Sequence, residues 1–274
     1  EYGARVVVGF IVIPYLVAGL GTNLFGILLT LRKMTGYLTA AGARPTQALK
    51  CVIANRQSVG DDKEKRQHVG SAIVVALLFL PLQLAFGALV IWFAPIWLHD
   101  VPEKHYWLVR VATGLLVMGL VLRNFVNLPR SVLEGENLGY KRIGLSTALV
   151  ILGGGLTLLA LYLDTGLRGV AAANLITVIV TGVLFVLMVR TYVPWFGASI
   201  PSGQMVWQFV GLSWWFLLWR LIMQVLANSD LVILGILAPA ETVTIFALAK
   251  YLPEMLIEFV AIVVFGITPG LGGL

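Results

Sequence analysis

Long apolar stretches separated by short segments rich in Gly, Pro or charged residues run the length of the chain. A helix needs about 20 consecutive apolar residues to cross a bilayer. By this measure the sequence predicts eight membrane helices. The predicted ranges are 1–20, a second helix that begins near Gly26 and runs past Arg32 and Lys33, 71–98, 106–128, 143–163, 169–193, 206–237, and an eighth helix that begins near Val243 and continues to the end of the chain.

The composition supports the same fold class. Of 274 residues, 59% are apolar and 12% are charged, whereas soluble domains carry about 25% charged residues. The sequence therefore predicts an all-α integral membrane protein, a helix bundle that crosses the membrane several times. The chain begins without Met and ends without a polar tail, so we expect a fragment whose first helix is truncated. Cys51 is the single cysteine, which excludes an internal disulfide.

Lysine and arginine alternate in density between successive connections. The segment 55–68 carries Arg56, Lys63, Lys65 and Arg66, whereas the segment 99–105 carries one lysine. Because cytoplasmic loops are enriched in these residues, the sequence predicts that the first helix runs from the cytoplasm outwards. The net charge of +6 then reflects cytoplasmic loops and a cationic cavity, and no nucleic-acid partner is expected.

Two segments can be aligned without a gap, "AGLGTNLFGILLTLRK" and "GILAPAETVTIFALAK", which places Gly21 opposite Ala238 and Lys33 opposite Lys250. In each segment a helix ends, a tight turn follows, and the next helix carries a lysine after two to three turns. The alignment predicts that helices one and two correspond to helices seven and eight, as in a parallel repeat. The predicted organisation is an N-terminal lobe of six helices at 1–193, a cytoplasmic linker at 194–205, and the first two helices of a second lobe at 206–274.

Arg220 is the most deeply embedded cation. It lies 13 residues after Trp207 and 17 before Leu237, which is about 20 Å or more from either helix end and too far for its side chain to reach water. Gln224 and Asn228 follow at intervals of four and form a polar stripe on the same face. We interpret Arg220, Gln224 and Asn228 as lining a substrate cavity, with Arg5 at a matching depth in helix one. The alternative is a structural arginine paired with an interior carboxylate.

Arg32 and Lys33 lie about 10–12 Å beyond the outer turn, at 1.5 Å per residue. We expect at least one of them to face the cavity; otherwise both extend to the outer interface. Lys250 has the same depth through the repeat, and we count Arg32, Lys33 and Lys250 among the candidate substrate-binding cations of the cavity. Glu254 and Glu258 share its helix face, and with Asp230 they are candidates for ion coupling or for a neutralising structural network.

Several segments together resemble bacterial polysaccharide or oligosaccharide flippases of the multidrug/oligosaccharidyl-lipid/polysaccharide flippase superfamily. "GFIVIPYLVAGLGTNLFGI" is similar to the family's first helix and outer turn, and "ALKCVIANRQSVGDDKEKRQHVGSA" to the segment after helix two. "LPRSVLEGENLGYK" and "GLRGVAAANLI" resemble the loop before helix five and the start of helix six. "NSDLVILGILAPAETVTIFALAKYLPEML" looks like the start of the second half, although its turn lacks the family's usual Gly and Tyr.

The resemblance implies a carrier that moves a lipid-pyrophosphate-linked oligosaccharide from the inner to the outer leaflet of a bacterial inner membrane. Membrane lipids and a polysaccharide polymerase or glycosyltransferase are the implied partners. We expect no cofactor, no metal and no catalytic residue; the His and acidic residues of "HDVPEKH" fit a solvated loop better than a metal site. Two alternatives remain, a multidrug or cation exporter of the same superfamily and a membrane glycosyltransferase or ligase.

The predicted orientation can be tested with cysteine labelling. A membrane-impermeant thiol reagent should label Cys51, or a cysteine introduced at 57–68, only from the cytoplasmic side, because of the Lys and Arg asymmetry. A cysteine introduced at 100–104 should be labelled only from outside. Labelling of both segments from the same side would contradict the predicted helix count.

Overall fold

The computed structural model is built from α-helices. It describes residues 2–39, 42, 44–56, 61–98 and 101–271, without the side chains at positions 220, 258, 259 and 261–271. Within these ranges there is no β-strand. The helices are α1 (Tyr2–Gly36), α2 (Pro45–Asn55), α3 (Asp62–Trp97), α4 (Tyr106–Gly135), α5 (Arg142–Tyr162), α6 (Gly166–Tyr192), α7 (Gly203–Leu237) and α8 (Ala240–Leu271).

The all-α membrane bundle predicted from the sequence is confirmed. Six helical segments in the described ranges are long and apolar enough to cross a membrane. The first of them contains the predicted helices one and two, and α8 corresponds to the predicted eighth helix. The predicted start at 71 for the third helix is wrong, because α3 begins at Asp62. Its first two turns are charged like a loop, but Asp61 caps them by accepting a hydrogen bond from the Lys63 amide.

α1 is a hairpin of two arms, 2–20 and 22–36, joined at Gly21. Gly21 has φ 77° and ψ 162°, a conformation that is essentially restricted to glycine. The far ends of the two arms meet the same turn of α8. The Tyr2 hydroxyl donates to the Met255 carbonyl at 2.6 Å, and Lys33 Nζ lies 3.7 Å from a Glu254 carboxylate oxygen. The repeat alignment places Gly21 opposite Ala238, and the chain turns at both positions.

α2 is a short helix that the sequence analysis did not predict. Its 11 residues are too few to span a membrane, and they lie between two predicted membrane helices. Ala48, Leu49 and Ile53 are fully buried, with Ile53 packed so closely on α4 that a Cβ on Gly135 would meet it at 2.7 Å. The segment after the hairpin is therefore part of the packed bundle.

The described helices bury two apolar clusters, one toward each end of the bundle. The first contains Leu98, Val109, Leu167 and Ala240, which lie where α3 ends and where α4, α6 and α8 begin. The second lies at the opposite end and contains Leu49, Val69, Val132, Val189 and Phe209. Successive connections thus alternate between the two ends, as the predicted orientation requires.

The connection between α6 and α7 is fixed to the bundle at its first half. Lys65 is 5% exposed, and its Nζ lies 2.8 Å from a Glu136 carboxylate oxygen. Trp195 donates its indole N–H to the same carboxylate at 3.1 Å, and its ring centroid lies 5.4 Å from Lys65 Nζ. Arg66 donates to the Trp195 carbonyl at 2.8 Å. These four residues, the linker clamp, hold the connection against α3 and the end of α4.

We predict that Gly21→Ala destabilises the protein by about 1–3 kcal/mol, because a Cβ is strained at this φ and ψ whatever space surrounds it. The measurement is the thermal unfolding midpoint in detergent. Gly155→Ala in α5 is the matched control, since no heavy atom lies within 4 Å of its added Cβ and alanine favours a helix interior. Equal midpoints for the two variants would refute the strained turn.

Candidate functional site

A cavity of about 360 Å³ lies between α1, α4, α5, α6 and α8. Three arginines line it: Arg5 from the first arm of α1, Arg32 from the second arm, and Arg123 from α4. None of the described residues that line it is acidic. We call it the arginine cavity.

The hairpin at Gly21 brings Arg5 and Arg32 to the same cavity although 26 residues separate them in the chain. α5 approaches the first arm closely, because a Cβ on Gly154 would lie 2.5 Å from the Val8 side chain. α8 approaches the same arm just as closely, because a Cβ on Gly9 would overlap the Tyr251 hydroxyl. The small residues therefore let three helices converge around the cavity, as small residues commonly do in membrane bundles.

Arg123 and Arg32 differ in their hydrogen bonding. Arg123 donates from Nη2 to the Asn174 side-chain oxygen at 3.3 Å, and Asn174 also lines the cavity. The Nε atom of Arg32 is buried and has no hydrogen-bond partner in the part of the chain that the structure describes. A buried donor without an acceptor costs about 1–3 kcal/mol. Oxygen acceptors on an anion would remove that cost.

A second group of charges lies between the second arm of α1, α7 and α8. Lys250 Nζ is 2.5 Å from an Asp230 carboxylate oxygen and 3.6 Å from a Glu254 carboxylate oxygen. Glu254 also lies 3.7 Å from Lys33 Nζ. We call Lys33, Asp230, Lys250 and Glu254 the charge ladder. It contains two cations and two carboxylates, so it is neutral overall.

The charge ladder differs from the arginine cavity in its partners. Lys33 and Lys250, which the sequence analysis assigned to the substrate cavity, are ion-paired and line a separate space of about 220 Å³. Arg32 lines both spaces. Asp230 and Glu254, the candidates for ion coupling, are the carboxylates that neutralise these lysines. Their role in coupling stays a prediction.

Gln224 of α7 faces the end of the hairpin. Gln224 is 4% exposed, and its amide lies where a Cβ on Gly36 would meet it at 2.6 Å. Asn228 donates to the Gln224 carbonyl at 3.4 Å. Among the described residues that line the arginine cavity, neither amide is present. The side chains of Arg220 and Glu258 lie outside the described residues, so their assignments stay predictions.

Arg123 is the residue whose place the sequence analysis missed. A fourth helix that ends at 128, as predicted, puts Arg123 near an interface, where it resembles a topological charge. α4 continues to Gly135, so Arg123 lies 12 residues, or about 18 Å, from the helix end. The adjacent pair Arg123 and Asn124 inside an apolar helix is the feature that could have revealed it.

The surroundings of the three arginines favour anion binding. Arginine has a planar fork of donors that matches the oxygens of phosphate or carboxylate. The hydroxyls of Thr157 and Thr177 line the same cavity, but they donate to the Gly153 and Ala173 carbonyls of their own helices.

Within the described ranges, no three His, Cys, Asp or Glu side chains cluster as metal ligands.

The fold is similar to two solved transporter structures. One is the inward-facing conformation of a multidrug resistance MATE family transporter of the MOP superfamily, with a TM-score of 0.63 and 17% sequence identity. The match covers 98% of this chain and 59% of that transporter. The other is a crystal structure of MATE in complex with MaD3S, with a TM-score of 0.42 and 17% identity over 82% of this chain and 49% of that one. The chain thus spans about half to three-fifths of the length of these structures.

The similarity concerns the fold. No protein-family model and no curated protein sequence matches the chain. The flippase family that the motifs resemble therefore stays a prediction, while the transporter-like helix bundle is established by the first structural match.

The charge ladder yields a stability prediction. Lys250→Met should lower the thermal unfolding midpoint in detergent, because it leaves Asp230 without its closest cation. Adding Asp230→Asn should restore part of the stability, since Lys33 then still balances Glu254. We expect a coupling free energy of about 0.5–3 kcal/mol from the four-protein cycle. Lys104→Met, which removes an exposed cation elsewhere, is the control; strictly additive effects of the two ladder substitutions would show that the pair is not coupled.

Proposed function

We propose that the protein is a membrane exporter or flippase that moves an anionic, lipid-pyrophosphate-linked oligosaccharide from the inner to the outer leaflet by alternating access. The observation that carries the proposal is the arginine cavity, where three arginines converge and none of the described lining residues is acidic. The transporter-like fold supports the class of activity, and the sign of the charge supports an anionic substrate.

The physical problem is the headgroup. A pyrophosphate and its sugars are strongly hydrated, and the hydrocarbon core that they must cross is about 30 Å thick. Fixed arginines within the bundle replace water and counterions around the phosphate oxygens. Arg5, Arg32 and Arg123 come from three different chain segments, so they can surround a group of this size from several directions.

A multidrug or cation exporter fits the same fold and is the competing function. A cationic drug would meet three like charges in the arginine cavity, and like charges juxtaposed in a binding site cost several kcal/mol. Both carboxylates of the charge ladder are already paired with lysines. The charge pattern therefore favours the anionic substrate. A membrane transferase or ligase is the third candidate, and the described lining residues of the arginine cavity include no carboxylate or histidine that would serve as its acid and base.

In this proposal the two lobes and Arg220 keep the roles inferred from the sequence. The division into an N-terminal lobe at 1–193, a linker at 194–205 and a second lobe from 206 onward gives the two bodies that alternate. Arg220, on α7, supplies a cation from the second lobe. The location is a bacterial inner membrane, with a polymerase or glycosyltransferase of the same polysaccharide as partner.

We predict that Arg5→Gln, Arg32→Gln and Arg123→Gln each reduce transport of a labelled lipid-linked oligosaccharide by about tenfold or more. The reason is that each charge-assisted hydrogen bond to the substrate contributes about 1.5–3 kcal/mol, and about 1.4 kcal/mol is a factor of ten. Arg123→Lys should retain part of the activity, because it keeps the charge without the fork. The assay uses the full chain reconstituted in vesicles.

Two controls separate the proposal from its alternatives. Arg168→Gln removes an exposed arginine outside the cavity and should transport normally. Export of a fluorescent cationic dye by the same vesicles tests the drug-exporter function. The proposal fails if the dye is exported and the three cavity variants carry the oligosaccharide as the wild type does.

A further inference from the structure

A second polar cavity, of about 340 Å³, lies beside the arginine cavity. α2 and the C-terminal half of α4 form most of its wall, with Thr39 from the end of the hairpin segment. Arg44, Arg123 and Arg130 line it. We call it the vestibule. Arg123 lines both the vestibule and the arginine cavity, so this one side chain is common to the two spaces.

The charge balance of the vestibule is positive. Among the described residues that line it, Glu134 is the single acidic one. That carboxylate already accepts from Arg130 at 3.0 Å and pairs with Lys50 and Arg142, each at 3.0 Å. The Glu134 carboxylate is thus already surrounded by three cations. The described lining residues therefore carry a net positive charge.

The remaining lining groups suit oxygen-rich anions. Thr46 and Gln47 belong to the first turn of α2, where the helix dipole favours negative charge. The Gln47 backbone amide already donates to the Arg44 carbonyl at 3.1 Å, and Pro45 has no N–H. The Asn127 amide also lines the vestibule, whereas the Thr39 and Ser131 hydroxyls already donate to the Gly36 and Asn127 carbonyls at 2.7 and 3.0 Å.

The wall toward α3 is held in place by buried hydrogen bonds. Asn124, which lines the vestibule, donates to the Gln83 side-chain oxygen at 2.7 Å. Gln83 in turn donates to the Leu38 carbonyl at 3.1 Å. These hydrogen bonds fix the position of Asn124 in the wall of the vestibule, which favours a defined binding geometry.

We propose that the vestibule is a second anion site, which binds a phosphoryl group through Arg44 and Arg123, and that Arg123 is shared between it and the arginine cavity. The proposal of an anion site rests on the geometry of the vestibule alone. The further statement that an anionic headgroup binds in the vestibule before it enters the arginine cavity rests on the proposed function. The same phosphoryl chemistry belongs to soluble phosphate compounds and to lipid headgroups, and the test distinguishes the two.

The probes are inorganic pyrophosphate and a short isoprenyl pyrophosphate, titrated calorimetrically into the full chain in nanodiscs. The key variant is Arg44→Asn. Arg44 has φ 44° and ψ 50°, a left-handed conformation that asparagine tolerates well, so the substitution removes the charge and preserves the start of α2. An unchanged thermal unfolding midpoint verifies this. Arg190→Gln, which removes an exposed arginine at the same end of the bundle, controls for the removal of one positive charge.

We expect two classes of pyrophosphate site in the wild type. Arg44→Asn should weaken one class about tenfold or more, Arg5→Gln should weaken the other, and Arg123→Gln should weaken both. Arg190→Gln should change neither. If only the isoprenyl compound shows the Arg44 effect, the site serves a lipid headgroup; if both probes show it, soluble phosphates bind as well.

The inference is overturned if Arg44→Asn and Arg190→Gln bind both probes as the wild type does, or if Arg44 and Arg5 affect the same class of site. Failure of the proposed function looks different. In that case Arg5→Gln leaves binding and transport unchanged, while Arg44→Asn still weakens pyrophosphate binding.

Discussion

A charge inside a membrane helix requires a partner or a polar space, because burying it unpaired in hydrocarbon is costly. This constraint shapes the region around α1. The hairpin carries three cations in two arms, and the bundle accommodates them in two ways. Lys33 is paired with Glu254, and Arg5 and Arg32 line a cavity whose described walls contain no acidic residue. Glycines on α1 and α5 let the helices around that cavity approach closely.

The lysines and the arginines serve different purposes in the bundle. The lysines of the charge ladder join α1 to α7 and α8 through neutral ion pairs, so they connect the first six helices to the two that follow. The arginines converge within the first six helices, with α8 contributing Tyr251 to their cavity. Adjacent residues on a helix point about 100° apart, so Lys33 pairs with Glu254 while Arg32 lines the arginine cavity as well as the space beside the charge ladder.

Much of the architecture could be predicted from the sequence, because length and apolarity define a membrane helix almost without reference to its neighbours. The turn at Gly21 and its counterpart at Ala238 are visible in the aligned segments. The candidate functional site was harder to predict from the sequence. α2 and the first turns of α3 are amphipathic or charged and become helical through packing and capping. The extension of α4 to Gly135 places Arg123 well inside the helix and no longer near its end. Whether a lysine is paired depends on a carboxylate 20 residues away on another helix, as for Lys250 and Asp230, and one sequence does not contain that information.

The linker clamp has a mechanical consequence. Trp195 is fixed to Lys65 and Glu136, and the Ser199 amide donates to the Arg66 carbonyl at 3.1 Å, so the chain after α6 is anchored as far as residue 199. α7 is rigid from its cap at Ser202, whose hydroxyl accepts from the Met205 amide at 3.3 Å. Only Ile200 and Pro201 lie between the two fixed points, and Ile200 is 91% exposed. Proline has a fixed φ, so rotation of α7 against the anchored segment is concentrated in very few backbone torsions. The linker clamp therefore restricts the directions that α7 can take relative to α3 and α4.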